Sequence, residues 1–187
     1  MKLVVLDRDG TLNHEPDEFI RSPDEWVPLP GALEAVARLN QGGWRVVVAT
    51  NQSGLGRGLF DIATLNAVHA RMHKLVASAG GRIDGVFFCP HAPEDACGCR
   101  KPAPGLFHQI AQRMGVAPAQ TVAIGDSVRD AQAAVDAGCE PHVVLTGQSA
   151  GLSPEAMPPG FPAGVQVHAD LAAAVDVLLA RGATPQP

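Results

Sequence analysis

The sequence predicts one α/β domain, a doubly wound parallel sheet covered by helices on both faces. Two observations carry that expectation. Short, nearly continuous apolar and β-branched runs recur at residues 3–6, 45–49, 83–88, 121–124 and 142–145, and runs without polar alternation suit strands buried on both faces. Stretches with helical spacing lie at 31–40, 61–79, 105–114, 128–137 and 170–179, so strand and helix alternate as they do in parallel sheets. The length of 187 residues fits a single unit spanning 1–187.

The elements follow in order. The first strand, residues 3–6, leads straight into Asp7. Residues 13–30 form a polar loop with Pro16, Pro23, Pro28 and Pro30, and an ordered loop of that length usually serves function. The helix at 61–79 has Asp61 as its N-cap and Leu65, Val68, Met72 and Leu75 as a stripe suited to the core. His69 and His73 flank that stripe at i, i+4 spacing; with no third ligand suggested nearby, a structural or exposed role outweighs metal binding. Cys139, at a helix-to-strand junction, reads as a small buried hydrophobe. Residues 148–164, with Pro154, Pro158, Pro159 and Pro162, read as a surface excursion without assigned function. The tail at 184–187 is expected to fray.

Composition excludes several classes. There are 14 Lys+Arg against 19 Asp+Glu, a net charge of −5, and no basic run, so the electrostatic footprint of a nucleic-acid binder is missing. No segment reaches the ~20 apolar residues that cross a bilayer. The apolar start at residues 3–6 is too short for a secretory signal, so a cytoplasmic location is expected, where structural disulfides are disfavoured. A phosphorylated ligand would need its positive charge from a metal or a few placed side chains.

Ligands of open α/β sheets bind beyond the carboxyl ends of the strands. At the first strand end stands Asp7-Arg8-Asp9-Gly10-Thr11, whose two aspartates lie two apart and so face one way in extended chain. Converging carboxylates repel unless a hard cation neutralises them; the alternative is an Asp-Gly turn with a solvated aspartate beside it. The second strand runs into Thr50-Asn51-Gln52-Ser53-Gly54, neutral donors suited to phosphate oxygens, although any such turn looks similar. The fourth runs into Gly125-Asp126-Ser127, with Asp130 four positions on, either an acid or N-cap partner in the first helical turn or, preferably, a support for the reacting groups. Arg100-Lys101-Pro102 supplies local positive charge.

Cys89, His91, Cys97 and Cys99 place three thiols and an imidazole within a short loop. Four N/S ligands suit a closed, tetrahedral structural zinc site. Free cytosolic thiols or a redox pair are the alternatives, but a Cys-x-Cys pair leaves Cys89 and His91 unexplained. Arg100 and Lys101 follow directly, so zinc would stiffen the loop at 89–102 that aims them.

Asp7-Arg8-Asp9-Gly10-Thr11, Thr50-Asn51, Lys101-Pro102 and Gly125-Asp126 with Asp130 together resemble the four ordered motifs of the haloacid dehalogenase superfamily of phosphatases, over residues 3 to about 146. The resemblance implies a Rossmann-like fold without a large cap domain. It implies Asp7 as the nucleophile forming an aspartyl-phosphate, Asp9 as general acid and base, and Thr50 and Lys101 as holders of the phosphoryl group. Catalytic Mg²⁺ would be held by the Asp7 carboxylate, the Asp9 carbonyl and Asp126.

The zinc-loop pattern resembles one branch, shared by the D-glycero-D-manno-heptose 1,7-bisphosphate 7-phosphatases and the histidinol-phosphate phosphatases. The histidinol enzymes carry an acidic residue at the place of Ser53, and a neutral hydroxyl suits an anionic sugar phosphate better than a cation. Gly54-Leu55-Gly56-Arg57-Gly58 also resembles the heptose branch. By resemblance, a small-molecule sugar phosphate would meet Arg8, Glu15, Pro16, Asp17, Glu18, Thr50, Asn51, Gln52 and Ser53, with Arg100 on the phosphate that is retained. The implied setting is the synthesis of nucleotide-activated heptose for lipopolysaccharide, by a monomer. Ser127 stands where relatives carry Lys, and the 15–18 stretch is more acidic than the branch. A catalytically silent zinc-loop interaction module is the non-enzymatic alternative.

Overall fold

A computed structural model describes residues 2–183; the expected fraying of 184–187 falls outside the described residues. Six parallel strands form one sheet: β1 (Lys2–Leu6), β2 (Trp44–Asn51), β3 (Gly85–Cys89), β4 (Thr121–Gly125), β5 (Glu140–Val144) and β6 (Gln166–His168). Their order is β3-β2-β1-β4-β5-β6, so the chain winds outward in one direction from β1, then restarts on the other side at β4. The reversal leaves a crevice at the carboxyl ends of β1 and β4, where such sheets bind ligands.

The helices are α1 (Ala32–Gln41), a single turn α2 (Ser53–Gly56), α3 (Ile62–Ser78), α4 (Gly105–Met114), α5 (Val128–Ala137) and α6 (Leu171–Ala183). Successive strand residues point to opposite faces, and the core divides accordingly. Val4, Leu6, Val46 and Val48 pack with Val36 and Leu39 of α1, Val68 and Met72 of α3, and Val175 and Leu178 of α6. Leu3, Val5, Val47 and Ala49 meet Leu106 and Ile110 of α4 and Ala133 and Ala134 of α5 on the other face. Both faces of the central strands are thus dry, which is why those runs lack polar alternation. Cys139 is buried in the second of these clusters.

Helix ends follow local chemistry. Asp61 accepts from the Thr64 N–H at 2.7 Å. Ser127 and Asp130 cap α5 reciprocally, with Ser127 N to Asp130 Oδ2 at 3.0 Å and Asp130 N to Ser127 Oγ at 3.3 Å. The loop at 13–30 is anchored by Leu12, Ile20 and Trp26, all buried. One expectation needs correction. The stretch after β5 is not wholly a surface excursion, because it is followed by a sixth strand, and its first turn, Gly147–Ser149, packs into the ligand end of the sheet. Among the described residues no helix is long and apolar enough to cross a membrane.

Candidate active site

At the carboxyl ends of the strands lies a cleft of about 200 Å³, lined among others by Asp7, Asp9, Glu15, Thr50, Gln52, Ser53, Arg100, Lys101, Arg129 and Gln148. Asp7 follows β1, whose pairing with β4 continues through the Asp7 N–H to the Ile124 carbonyl at 2.9 Å. Lys101 is buried at the base. Its ammonium donates to Asp7 Oδ1 at 2.8 Å, to Asp130 Oδ1 at 2.5 Å and to the Ala49 carbonyl at 2.7 Å. Burial opposes its charge, but the carboxylates of Asp130 and Asp7 more than compensate and hold its pKa above the ordinary lysine range.

Asn51 fixes the backbone on either side of that ammonium: its amide donates to the Lys101 carbonyl and accepts from the Lys101 N–H, each at 3.0 Å. Asn51 therefore lines the cleft with its amide committed to the lysine. Asp130 accepts from Lys101 through one oxygen and caps α5 through the other, so it both caps the helix and supports Lys101.

Carboxylate oxygens of Asp7, Asp126 and Asp130 lie within 4.8 Å of one another. Asp126 is buried, and its position is set from four sides: Thr11 Oγ1 donates to Oδ1 at 3.3 Å, Gln148 N to Oδ2 at 2.7 Å, Ser149 Oγ to the backbone carbonyl at 2.6 Å, and the glycines press close. A Cβ on Gly10 or Gly147 would fall 2.2 or 2.1 Å from Asp126 Oδ2. Burial, then the charges of Asp7 and Asp130, push the Asp126 pKa up to about 9; burial and Asp130 push Asp7 to about 7 against the pull of Lys101. Three carboxylates facing one ammonium are short of two positive charges, and hard oxygen donors in this number fit a divalent cation such as Mg²⁺.

The carboxylate of Asp9 is held apart from that group. It accepts from Arg8 Nε and Nη2 at 3.0 and 2.9 Å, from Asn13 Nδ2 at 2.9 Å and from Gln52 Nε2 at 3.0 Å. Gln52 Nε2 also donates to Thr50 Oγ1 at 2.9 Å. Arg8 itself corrects an expectation: its guanidinium is 1% exposed and reaches Asp9 and His69 rather than the cleft. Asp17 likewise lines a neighbouring groove with Glu18 and Arg21, not the cleft.

Cys89, His91, Cys97 and Cys99 converge. Cys89 Sγ lies 3.6 Å from Cys97 Sγ and 3.1 Å from Cys99 Sγ, Cys97 and Cys99 are 3.6 Å apart, and His91 Nδ1 is 3.5 and 3.3 Å from Cys89 and Cys99. All four cysteines of the chain are free. Zn–S bonds of about 2.3 Å in a tetrahedron place sulfurs about 3.8 Å apart, so the four atoms fit zinc with small adjustments. Burial works against the Cys97 thiolate, but the Arg100 and Cys99 N–H groups outweigh it and lower its pKa to about 6, toward the form that binds metal.

Sequence reasoning missed Arg129 and Gln148. Arg129 Nη2 donates to Gln148 Oε1 at 3.2 Å, and Gln148 Nε2 to Glu15 Oε1 at 3.2 Å. Gln148 follows the carboxyl end of β5, a position that the strand-end rule marks.

The residues 12–138 match the haloacid dehalogenase-like hydrolase family. The chain belongs to that family. Among its relatives in this hydrolase family, a Bordetella bronchiseptica protein named D-glycero-beta-D-manno-heptose-1,7-bisphosphate 7-phosphatase is 54% identical over 179 residues, 96% of this chain and 98% of the relative. A Pseudomonas aeruginosa protein of the same name is 46% identical, over 95% and 97% of the two chains. The crystal structure of the B. bronchiseptica D,D-heptose 1,7-bisphosphate phosphatase complexed with magnesium and phosphate superposes with a TM-score of 0.91 at 53% identity, covering 97% of this chain and 99% of that one. This hydrolase is therefore a phosphoric monoester hydrolase in its family and in its fold.

Proposed function

We propose that the chain removes the 7-phosphate of D-glycero-β-D-manno-heptose 1,7-bisphosphate through an aspartyl-phosphate on Asp7. The observation that carries this reading is the separation of two carboxylates in one cleft: Asp7 lies under the ammonium of Lys101 and beside Asp126, whereas Asp9 is gripped by Arg8, Asn13 and Gln52. Such separation lets one act as nucleophile and the other move protons. The names of relatives at 54% and 46% identity support the substrate.

Asp7 attacks phosphorus through the oxygen not bound by Lys101, and the bond to the sugar oxygen breaks. Asp9 gives that oxygen its proton, which requires the leaving oxygen to take a place now held by one of the donors around Asp9. As a carboxylate, Asp9 then takes a proton from water as it attacks the aspartyl-phosphate, freeing Asp7 and inorganic phosphate. Lys101 neutralises charge on the transferring group. The Asp7 and Asp126 carboxylates with the Asp9 carbonyl would hold Mg²⁺, whose chemistry is to neutralise phosphoryl oxygens and keep those carboxylates ionised.

Arg100 and Arg129 would hold the retained phosphate. Both line the cleft, and burial together with the charge of Arg129 depresses the Arg100 pKa, as two neighbouring guanidiniums awaiting an anion should. Arg100→Ala should lower kcat/KM for the bisphosphate by roughly ten- to a hundredfold, the worth of a charge-assisted contact, and leave a small aryl phosphate nearly unaffected. Equal losses would place Arg100 at the reacting phosphate. Gly147→Ala, which sets a methyl against Asp126, should raise the magnesium needed for half-maximal activity by about tenfold; an unchanged requirement would remove Asp126 from the metal site. The reading as a whole is tested by kcat/KM for both anomers of heptose 1,7-bisphosphate, fructose 1,6-bisphosphate and histidinol phosphate. Preference for histidinol phosphate would overturn it.

A further inference from the structure

We propose that His69 is a positioning residue for proton transfer: acting through Arg8, it fixes the plane of the Asp9 carboxylate. The inference rests on the reading of Asp9 as acid and base, and extends it to a helix that otherwise takes no part in the cleft.

His69 lies in the middle of α3, buried, with its ring centroid 6.4 Å from that of Phe88 on β3. Arg8 Nη1 donates to His69 Nε2 at 3.1 Å. An arginine has no acceptor, so the imidazole must accept and be neutral in that contact. Burial first, then the charge of Arg8, lower the His69 pKa to about 4, in agreement with the geometry.

The guanidinium of Arg8 is planar and rigid. One edge, Nε and Nη2, grips both oxygens of Asp9, and a bidentate pair of this kind shares a plane. Among the described residues no other side chain accepts from Nη1, so His69 alone sets the far end of the guanidinium from the protein interior. Asn13 holds Oδ1 and Gln52 holds Oδ2 of Asp9, each through one hydrogen bond, whereas Arg8 holds both oxygens from one rigid plane. A buried arginine that lost its His69 contact would have an unpaired donor and would reorient toward other acceptors, turning Asp9 with it. General acid catalysis depends on that orientation, because the proton must lie within hydrogen-bond reach of the leaving oxygen.

The test compares aryl phosphates, which do not depend on knowing the natural substrate. p-Nitrophenolate leaves readily without a proton, whereas phenolate benefits from one. kcat/KM reports the steps through phosphoryl transfer to Asp7. For His69→Leu we expect kcat/KM to fall roughly tenfold with phenyl phosphate and less than about twofold with p-nitrophenyl phosphate, with KM little changed. His69→Gln, which keeps an acceptor at similar reach, should restore most of the phenyl phosphate rate. Should His69→Leu not fold, His69→Ala serves the same comparison. Equal losses on both esters, no loss on either, or absence of rescue by Gln would overturn the proposal. Asp9→Asn run in parallel separates the two claims: a leaving-group-dependent loss in Asp9→Asn without one in His69→Leu sinks only the role of His69, and its absence in Asp9→Asn sinks the acid role of Asp9 and this proposal with it.

Discussion

Asp7→Asn is expected to lose turnover by roughly a thousandfold or more on every phosphate ester while keeping its fold. The amide is nearly isosteric with the carboxylate but cannot form the aspartyl-phosphate, and it is a poorer partner for a divalent cation. The fold should survive because Lys101, the buried cation most exposed to the change, retains Asp130 Oδ1 and the Ala49 carbonyl. Relieving Asp7 of its charge also removes one of the repulsions that raise the Asp126 pKa, so thermal stability should hold or rise slightly. The measurement is steady-state turnover alongside a melting curve, with acid-quench mass spectrometry seeking a phosphate adduct on the wild-type chain only. Near-wild-type turnover by purified Asp7→Asn would end the covalent mechanism.

Removal of the zinc that Cys89, His91, Cys97 and Cys99 would hold is expected to be the second large effect. Cys97→Ser, or chelation of the wild-type chain, should remove about one zinc per chain, lower the melting temperature and reduce kcat at least tenfold on all esters. The reason lies in what the loop carries. Arg100 N donates to Cys97 Sγ at 3.4 Å, the loop is tied to the end of β2 through Gln52 N to the Cys89 carbonyl at 2.8 Å, and Lys101 continues directly from it into the base of the cleft. Metal binding to such a loop contributes folding free energy, so its removal frees the segment that delivers the ammonium. Zinc returned to the chelated wild-type chain should restore activity; added magnesium should not. A Cys97→Ser chain that keeps zinc and full stability would show the ligand set to be wrong.

The fold was largely legible because five strands contain short apolar runs, which burial of the central β1, β2 and β4 on both faces imposes. The sixth, Gln166–His168, was not: it is three residues long at the sheet edge, and a Gln-Val-His run offers no continuous apolar signal. The single turn at Ser53–Gly56 escaped for a related reason, since its two glycines read as a flexible turn. At the site, Asp7, Asp9, Thr50 and Asp126 stand where strand ends and carboxylate spacing point, whereas Lys101 was singled out by the local charge of Arg100-Lys101-Pro102 and by resemblance. Arg8 was placed on the substrate by resemblance, and only its burial against His69 reveals its direction. Arg129 and Gln148 belong to a helix first turn and to a stretch without chemical pattern, and it is the return of β5 to the cleft that brings Gln148 in.

The sheet order has a consequence for how the protein is made. β1 leaves the ribosome before the other strands of this sheet and is paired on both sides in the finished sheet, with β2 at one edge and β4 at the other. The second partner begins only at Thr121, so during translation a dry, parallel strand carrying Asp7 waits with one edge bare, a state prone to wrong pairing. No nascent chain that stops short of Thr121 can present Asp126, and one that stops before Gln148 lacks the backbone N–H that fixes it. Synthesis should therefore yield activity abruptly and late, and truncated chains should be ready substrates for chaperones and proteases rather than partial enzymes.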